Sequence, residues 1–297
     1  MLAALMARPR KVLRRAATAI SPSARLNMLS PKRQDIVRPA LERPRQFVLL
    51  SVRAIAERLN TDPATMVRIV RGMQFSSYRE FQHYLHELSI ATATSLETMQ
   101  VFANGKTPLS AQIRAVLDRD LKNIDELIRT IDQSQVLSLV RRMYAAEHIT
   151  LIGGDLAATL VRFLEHHLMI LGLPASCATS PAEVVHKMRF ARKKDLVIAI
   201  TYGRGLRQTV EGLRQARANG AYCVAITNTA VCPITQFAHE SFFTNIDSPS
   251  YGPSYVAPMA FFNVLIVACA NFHRGRTLTV LKKAEQEQRH GFRWYEA

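Results

Sequence analysis

The stretch SVRAIAERLNTDPATMVRIVRGMQFSSYREFQHYL, residues 51–85, carries three apolar patterns of helical period separated by two short breaks. Ser51 is suited to cap a helix over residues 52–59, in which Ile55, Ala56 and Leu59 fall on one face. Asn60 and Thr61 interrupt that pattern. Asp62 offers a carboxylate to cap a second helix, and Pro63 stands in its first turn, where a missing N–H removes no hydrogen bond. The second helix runs to Met73, with Met66, Ile69, Val70 and Met73 turned inward and Thr65, Arg68 and Arg71 left outside. A third helix over residues 77–88 has Phe81, Tyr84, Leu85 and Leu88 as its core stripe.

Two short helices with a tight junction, the second opening on small and polar side chains, have the proportions of a helix-turn-helix. Such a second helix fits the major groove of duplex DNA: Ala64 and Thr65 permit close approach, and Arg68 and Arg71 reach bases or phosphates. The candidate DNA-binding residues are Asp62, Ala64, Thr65, Arg68 and Arg71, with Ser77 and Tyr78 at the start of the next helix. A generic helical hairpin with a solvated basic face would show the same pattern. Charge favours DNA: the chain has a net charge of +16, and residues 1–90 hold 16 Lys/Arg against 6 Asp/Glu.

Upstream, residues 31–41 form a short helix through Ile36, Val37, Ala40 and Leu41, and Pro39 is expected to kink it or end it early. Residues 1–25 read as a basic flexible arm, and their Arg/Lys cluster lacks the apolar core that follows in a secretory signal. The DNA-binding domain then spans residues 26–90 and a helical linker residues 91–135. Residues 105–108 make a turn in that linker, and an apolar repeat runs from Ile113 through Val116, Leu117, Leu121, Ile124, Leu127 and Ile128 to Ile131. Such a stripe packs on a partner or on the second domain.

From Ile149 the rhythm changes. Strand-like runs at 149–152, 175–178, 196–201, 223–227 and 241–244 alternate with amphipathic helices at 156–171, 182–191, 206–219 and 233–238. Continuous apolar strands separated by helices imply an α/β domain with a doubly wound, parallel five-stranded sheet covered on both faces. The domain is placed at residues 136–275, closed by an apolar helix over 258–272, and residues 276–297 form a C-terminal helical tail. The longest apolar run, 256–272, contains Pro258, Asn263 and Asn271 and falls short of a membrane span, so no membrane partner is expected. Cys177, Cys223, Cys232 and Cys269 lack metal-binding spacing and read as small core residues of a reduced, cytoplasmic protein with neither metal nor cofactor.

The wording of residues 51–85 resembles the N-terminal domain of RpiR/MurR-type transcriptional regulators, with Asp62-Pro63-Ala64-Thr65, Arg68, Phe75, Tyr78 and Phe81 matching in order. The family commonly writes Ser where this chain has Asp62. The second half resembles the SIS (sugar isomerase) domain that such regulators carry, in which phosphosugars bind where strand ends meet helix N-termini. Carried onto this chain, the resemblance implies a ligand loop at Gly153-Gly154-Asp155-Leu156-Ala157, without the expected hydroxyl, and a second at residues 201–209. There Thr201 and Thr209 offer hydroxyls, and Arg204 and Arg207 suit a phosphate or carboxylate. Thr227 and Ser254 match further positions on the same crevice.

The expected protein is therefore a DNA-binding regulator, not an enzyme, that answers to a small anionic metabolite and works as a homodimer or homotetramer. A sugar-phosphate isomerase is the alternative, with Glu165-His166-His167 as the candidate catalytic cluster. A constitutive DNA binder whose SIS domain only dimerises is a third.

Overall fold

The computed structural model describes residues 22–91, 96, 99, 107–203, 205–230 and 232–289. The greater part of the expected basic arm and of residues 92–106 lies outside them.

Five helices make the first unit: α1 (Pro22–Asn27), α2 (Pro31–Glu42), α3 (Val52–Arg58), α4 (Pro63–Gly72) and α5 (Tyr78–Ala91). The α3–α4 pair forms as the capping residues dictate. Ser51 Oγ accepts from the Ala54 N–H, and the Asp62 carboxylate accepts from the Thr65 N–H. Asn60 takes the positive φ that turns the chain between them. Val37, Leu41, Ile55, Met66, Ile69, Met73, Phe81 and Leu85 close into one core, each 2% exposed or less. Burying a side chain of this size stabilises the fold by about 1.5–3 kcal/mol.

Pro39 does not end its helix. Helix α2 continues to Glu42, because Val37, Ala40 and Leu41 are all buried on one face and that packing outweighs the one hydrogen bond Pro39 cannot donate. The arm expected to be free to residue 25 is folded at its end. Arg25 donates to the Met73 carbonyl at 2.6 Å and lies 4.2 Å from the centre of the Phe75 ring.

The linker helix α6 (Leu109–Thr130) starts one turn earlier than its apolar repeat predicts, after Pro108, and α7 (Gln133–Ala145) follows under an Asp132 cap. The second unit is then β1 (Ile149–Ile152), α8 (Ala157–Ile170), β2 (Ala175–Ala178), α9 (Pro181–Arg189), β3 (Leu196–Ile200), α10 (Arg207–Ala218), β4 (Tyr222–Thr227), a 3-10 turn (Pro233–Phe237), β5 (Glu240–Phe243), α11 (Val256–Phe272) and α12 (Arg274–Arg289). The five strands are all parallel, in the order β2-β1-β3-β4-β5.

Helices α7, α8 and α11 share a core with one sheet face, through Leu139, Leu164, Ile198, Phe261 and Leu265. Helices α9 and α10 cover the other, through Val184, Met188, Val197 and Leu213. The α/β, doubly wound architecture is thus the one the strand–helix alternation implies. The chain leaves β1 towards β2 and returns on its other side to β3, so the order reverses between β1 and β3. In open α/β sheets such a reversal opens a crevice at the strand C-termini.

Among the described helices α11 is the most apolar, but its Ala257, Phe261, Phe262, Leu265 and Cys269 are buried in the sheet core. Among the described residues no single helix is long and apolar enough to cross a membrane.

Candidate functional site

Two places in the molecule collect the chemistry-bearing residues. The first is the outer side of α4. Ala64, Arg68 and Arg71 are exposed there, and Thr65 is half-buried at the helix start. Asp62 does more than cap: its Oδ2 accepts the Thr65 hydroxyl at 2.6 Å while its Oδ1 accepts the Thr65 N–H at 2.8 Å. Those bonds, the hydroxyl's first, hold the Asp62 carboxyl below its usual range. The Thr65 hydroxyl has spent its proton and presents only acceptor capacity to an incoming group.

Ser77 and Tyr78 are set differently. Ser77 Oγ accepts the Glu80 N–H at 3.2 Å and so caps α5. The Tyr78 hydroxyl donates to the Leu50 carbonyl at 2.8 Å, and burial pushes its pKa up to about 12. Tyr78 therefore braces α5 against the turn before α3 instead of standing free beside Arg68. Lys32, on α2, shares a shallow hollow with Asn60, Thr61, Asp62 and Thr65. Sequence reasoning missed it, since a lysine some thirty positions upstream carries no signal of that proximity.

The second place is the crevice at the β1/β3 reversal. Gly153 and Gly154 lead out of β1, both buried, and Asp155 takes a φ of 55°. The close approach explains the glycines: a Cβ on Gly153 would stand 3.0 Å from the Ile200 carbonyl oxygen. One on Gly154 would meet Leu206 Cδ2 at 2.6 Å and Gln208 Nε2 at 2.5 Å. Leu206 thus packs against the floor of the first loop, where a ligand-binding loop would carry a polar group.

In the second loop Thr201 Oγ1 accepts from the Leu206 N–H at 2.9 Å, and Gly203 N donates to Asn228 Oδ1 at 2.8 Å. Arg207 is exposed at the start of α10. Arg204 lies outside the described residues. Thr209 and Thr227 do not open into the crevice. Both are completely buried, and the Thr227 hydroxyl lies against the Cys232 thiol.

Beyond the second loop, Tyr202 and Tyr255 face each other with ring centres 5.4 Å apart. The Tyr202 hydroxyl meets Thr244 Oγ1 at 3.2 Å, and burial raises its pKa. Burial raises that of Tyr255 too, followed by the nearby negative charge of Asp155. Ser254 Oγ donates to Asp120 on α6 at 2.5 Å and accepts the Val256 N–H at 3.3 Å. Asp120, 134 positions away in sequence, is the second residue that sequence reasoning missed.

In the cluster at residues 165–167 the glutamate is tied to the neighbouring strand. Glu165 Oε1 accepts the Cys177 N–H of β2 at 2.7 Å, and Lys187 Nζ donates to the Cys177 carbonyl at 2.8 Å. Together they satisfy the backbone of an edge strand. Among the described residues no group of three His, Cys, Asp or Glu is placed to hold a metal ion.

Comparison with known proteins agrees with this geometry. Residues 142–268 match the family model of the SIS domain. The chain is 23% identical over 217 residues to an uncharacterized HTH-type transcriptional regulator of Haemophilus influenzae, covering 71% of this chain and 73% of that protein. It is 24% identical over 204 residues to the HTH-type transcriptional regulator HexR of Pseudomonas aeruginosa, covering 69% and 70%. The fold matches that of the Vibrio vulnificus NanR protein complexed with ManNAc-6P, with a TM-score of 0.56 and 17% identity over 91% of this chain and 97% of that one.

Proposed function

We propose that this chain, which sets a helix-turn-helix domain before a SIS domain in the arrangement of the RpiR-type regulators, is a DNA-binding transcriptional regulator whose SIS crevice binds a small anionic metabolite that modulates operator binding. The observation that carries it is the coexistence in one chain of two recognition surfaces. Helix α4 presents Ala64, Thr65, Arg68 and Arg71 outward, and a strand-end crevice opens at the sheet's reversal. Neither surface has a use for the other in an isomerase. Glu165, the natural candidate for a catalytic base, is engaged by the β2 backbone, which supports a non-enzymatic role.

The metabolite is sugar-phosphate-like, as is the ManNAc-6P held by NanR. Arg207 supplies a guanidinium at the start of α10, Thr201 and Ser254 supply hydroxyls, and Gly153 lets Ile200, and Gly154 lets Leu206 and Gln208, pack close to the first loop. Arg204 stays a candidate from the sequence pattern, whereas the buried Thr209 and Thr227 do not reach the ligand. Double-stranded DNA is read by a homodimer, because one helix-turn-helix contacts too few base pairs for specificity and a two-fold pair reads two half-sites.

The test is an electrophoretic shift on duplex DNA from beside the chain's own gene, with and without N-acetylmannosamine 6-phosphate and related sugar phosphates. A sequence-specific shift that the sugar phosphate strengthens or weakens is expected. No specific shift under any of them overturns the reading. The hydroxyl-free first loop and the Leu206 packing on it favour a second reading, a constitutive DNA binder whose SIS domain only dimerises. A specific shift insensitive to every sugar phosphate would select that one.

A further inference from the structure

Helix α6 leads from the DNA-binding side of the chain into the SIS domain. One of its faces is tied to the loop of residues 245–254 that forms the lip of the crevice. Arg119 lies 3.7 Å from the Asp247 carboxylate. Asp120 accepts the Ser254 hydroxyl at 2.5 Å. Asn123, 1% exposed, donates to the Asp247 carbonyl at 2.7 Å, and Glu126 accepts from Asn245 Nδ2 at 2.9 Å. Positions 119, 120, 123 and 126 recur at helical spacing, so the four contacts form one seam. The lip is continuous with the crevice at both ends, through Thr244 against Tyr202 and through Tyr255 against Tyr202.

The Asp120–Ser254 contact lies on the path of any ligand that uses Ser254. A hydroxyl has one proton to donate. An anionic group that accepts it takes it from Asp120, and it arrives beside a carboxylate of its own sign. The carboxylate already in place has the charge and the acceptor geometry of the group that would replace it.

We propose that Asp120 is an internal stand-in for the anionic effector: an effector that engages Ser254 displaces Asp120, loosens the α6 seam and so changes how the DNA-binding domain is held. This rests on the regulator reading above and names the residue through which the crevice speaks to the DNA.

The experiment uses the full chain and three variants, Asp120→Ala, Ser254→Ala and the double substitution. Hydrogen exchange is followed over residues 115–126 and 245–254, affinity is measured for a duplex selected by the unsubstituted protein from random DNA, and inorganic phosphate and N-acetylmannosamine 6-phosphate are titrated. Exchange is expected to rise in both segments in each single variant. DNA affinity shifts by about the same factor in both and no further in the double, because they break one interaction. Asp120→Ala also binds the anionic probes about tenfold more tightly, having lost the competing acceptor and its charge.

Raised exchange with DNA affinity within twofold of the unsubstituted protein overturns the inference and leaves the regulator reading standing. Unaltered exchange overturns it as well, and so does a failure of Asp120→Ala to bind either probe more tightly. If the unsubstituted protein selects no DNA at all, the regulator reading fails and this inference falls with it.

Discussion

The Thr65 hydroxyl donates to the Asp62 carboxylate at 2.6 Å across the first turn of α4, so the residue best placed to enter a major groove is already bound to an anion of its own chain. That carboxylate sits where a DNA phosphate meets the positive end of a helix in proteins of this shape. Asp62 therefore strengthens the helix and opposes the DNA with the same charge.

Asp62→Ser separates the two effects. Serine keeps an oxygen for the Thr65 N–H and removes the charge, so duplex affinity rises severalfold at low salt and the gain shrinks as salt screens it. Asp62→Ala loses the cap as well and lowers the melting temperature. Fluorescence anisotropy across a salt series, with thermal unfolding beside it, checks both. A Ser variant that binds DNA no more tightly at low salt would show that no phosphate approaches this turn.

Arg68 and Arg71 stand one turn apart on the exposed side of α4, and the N-terminal half of such a helix lies deepest in the groove. Arg68→Ala is expected to cost about 1–3 kcal/mol of specific affinity while leaving binding to random DNA nearly unaltered. Arg71→Ala weakens both and lowers the slope of log affinity against log salt by about 0.9, the mark of one lost phosphate contact. Equal loss on specific and random DNA for Arg68→Ala would reassign it to the backbone.

The sheet was legible because its strands are short apolar runs with helices between them: the span 149–152 is predicted to the residue, and β3 ends one position before Thr201. The crevice was legible through the SIS resemblance, which places ligands where strand ends meet helix N-termini; alternation gives a parallel sheet but not the strand order that opens it. What each side chain does there was not legible. Thr209 counts as a hydroxyl in the sequence, but its place on α10 turns it into the core, and Thr227 shares that fate at the end of β4. Ser254 meets its partner across 134 residues, and no local pattern encodes a contact of that range.

Two glycines in the SIS domain separate strain from crowding. Gly203 has a φ of 63° with nothing within 4 Å of where a Cβ would stand, so Gly203→Ala costs about 1 kcal/mol through its backbone alone. Gly212 sits where α10 crosses α9, and a Cβ there would come within 2.4 Å of Val184 Cγ1. Gly212→Ala therefore costs about 1–3 kcal/mol by overpacking, and Val184→Ala in the same chain restores part of it. Chemical denaturation measures all three, and absence of rescue would place the Gly212 effect elsewhere.

Glu183 closes a capping box with Ser180 at the start of α9. Its carboxylate accepts from the Thr179 and Ser180 N–H groups, which lower its pKa to about 2. A carboxyl whose folded pKa lies below its ordinary value of 4.5 adds stability that is complete above 4.5 and fades as pH falls towards 2. The melting temperature should then exceed that of Glu183→Gln at pH 7 by a margin that narrows between pH 5 and pH 2. A margin independent of pH would mean that the Glu183 carboxyl titrates alike in the folded and unfolded chain, so that its charge does not stabilise the cap.

On α6, Ile113, Leu117 and Leu121 are 58, 57 and 64% exposed, while the seam to the crevice lip occupies the neighbouring face. Helix α11 leaves Val264 and Val267 open beside Leu137 of α7. An apolar stripe of this length on a helix with a partnered face is what a two-fold copy would cover. Leu117→Glu with Leu121→Glu places two charges there without touching the core. The pair should sediment as a monomer, with specific DNA affinity lower by on the order of a hundredfold, since each helix-turn-helix then binds alone. Random-DNA binding per chain should hardly change, because it follows phosphate contacts that the substitutions leave in place. An unchanged oligomeric state would move the interface off α6, to the face built by α7 and α11.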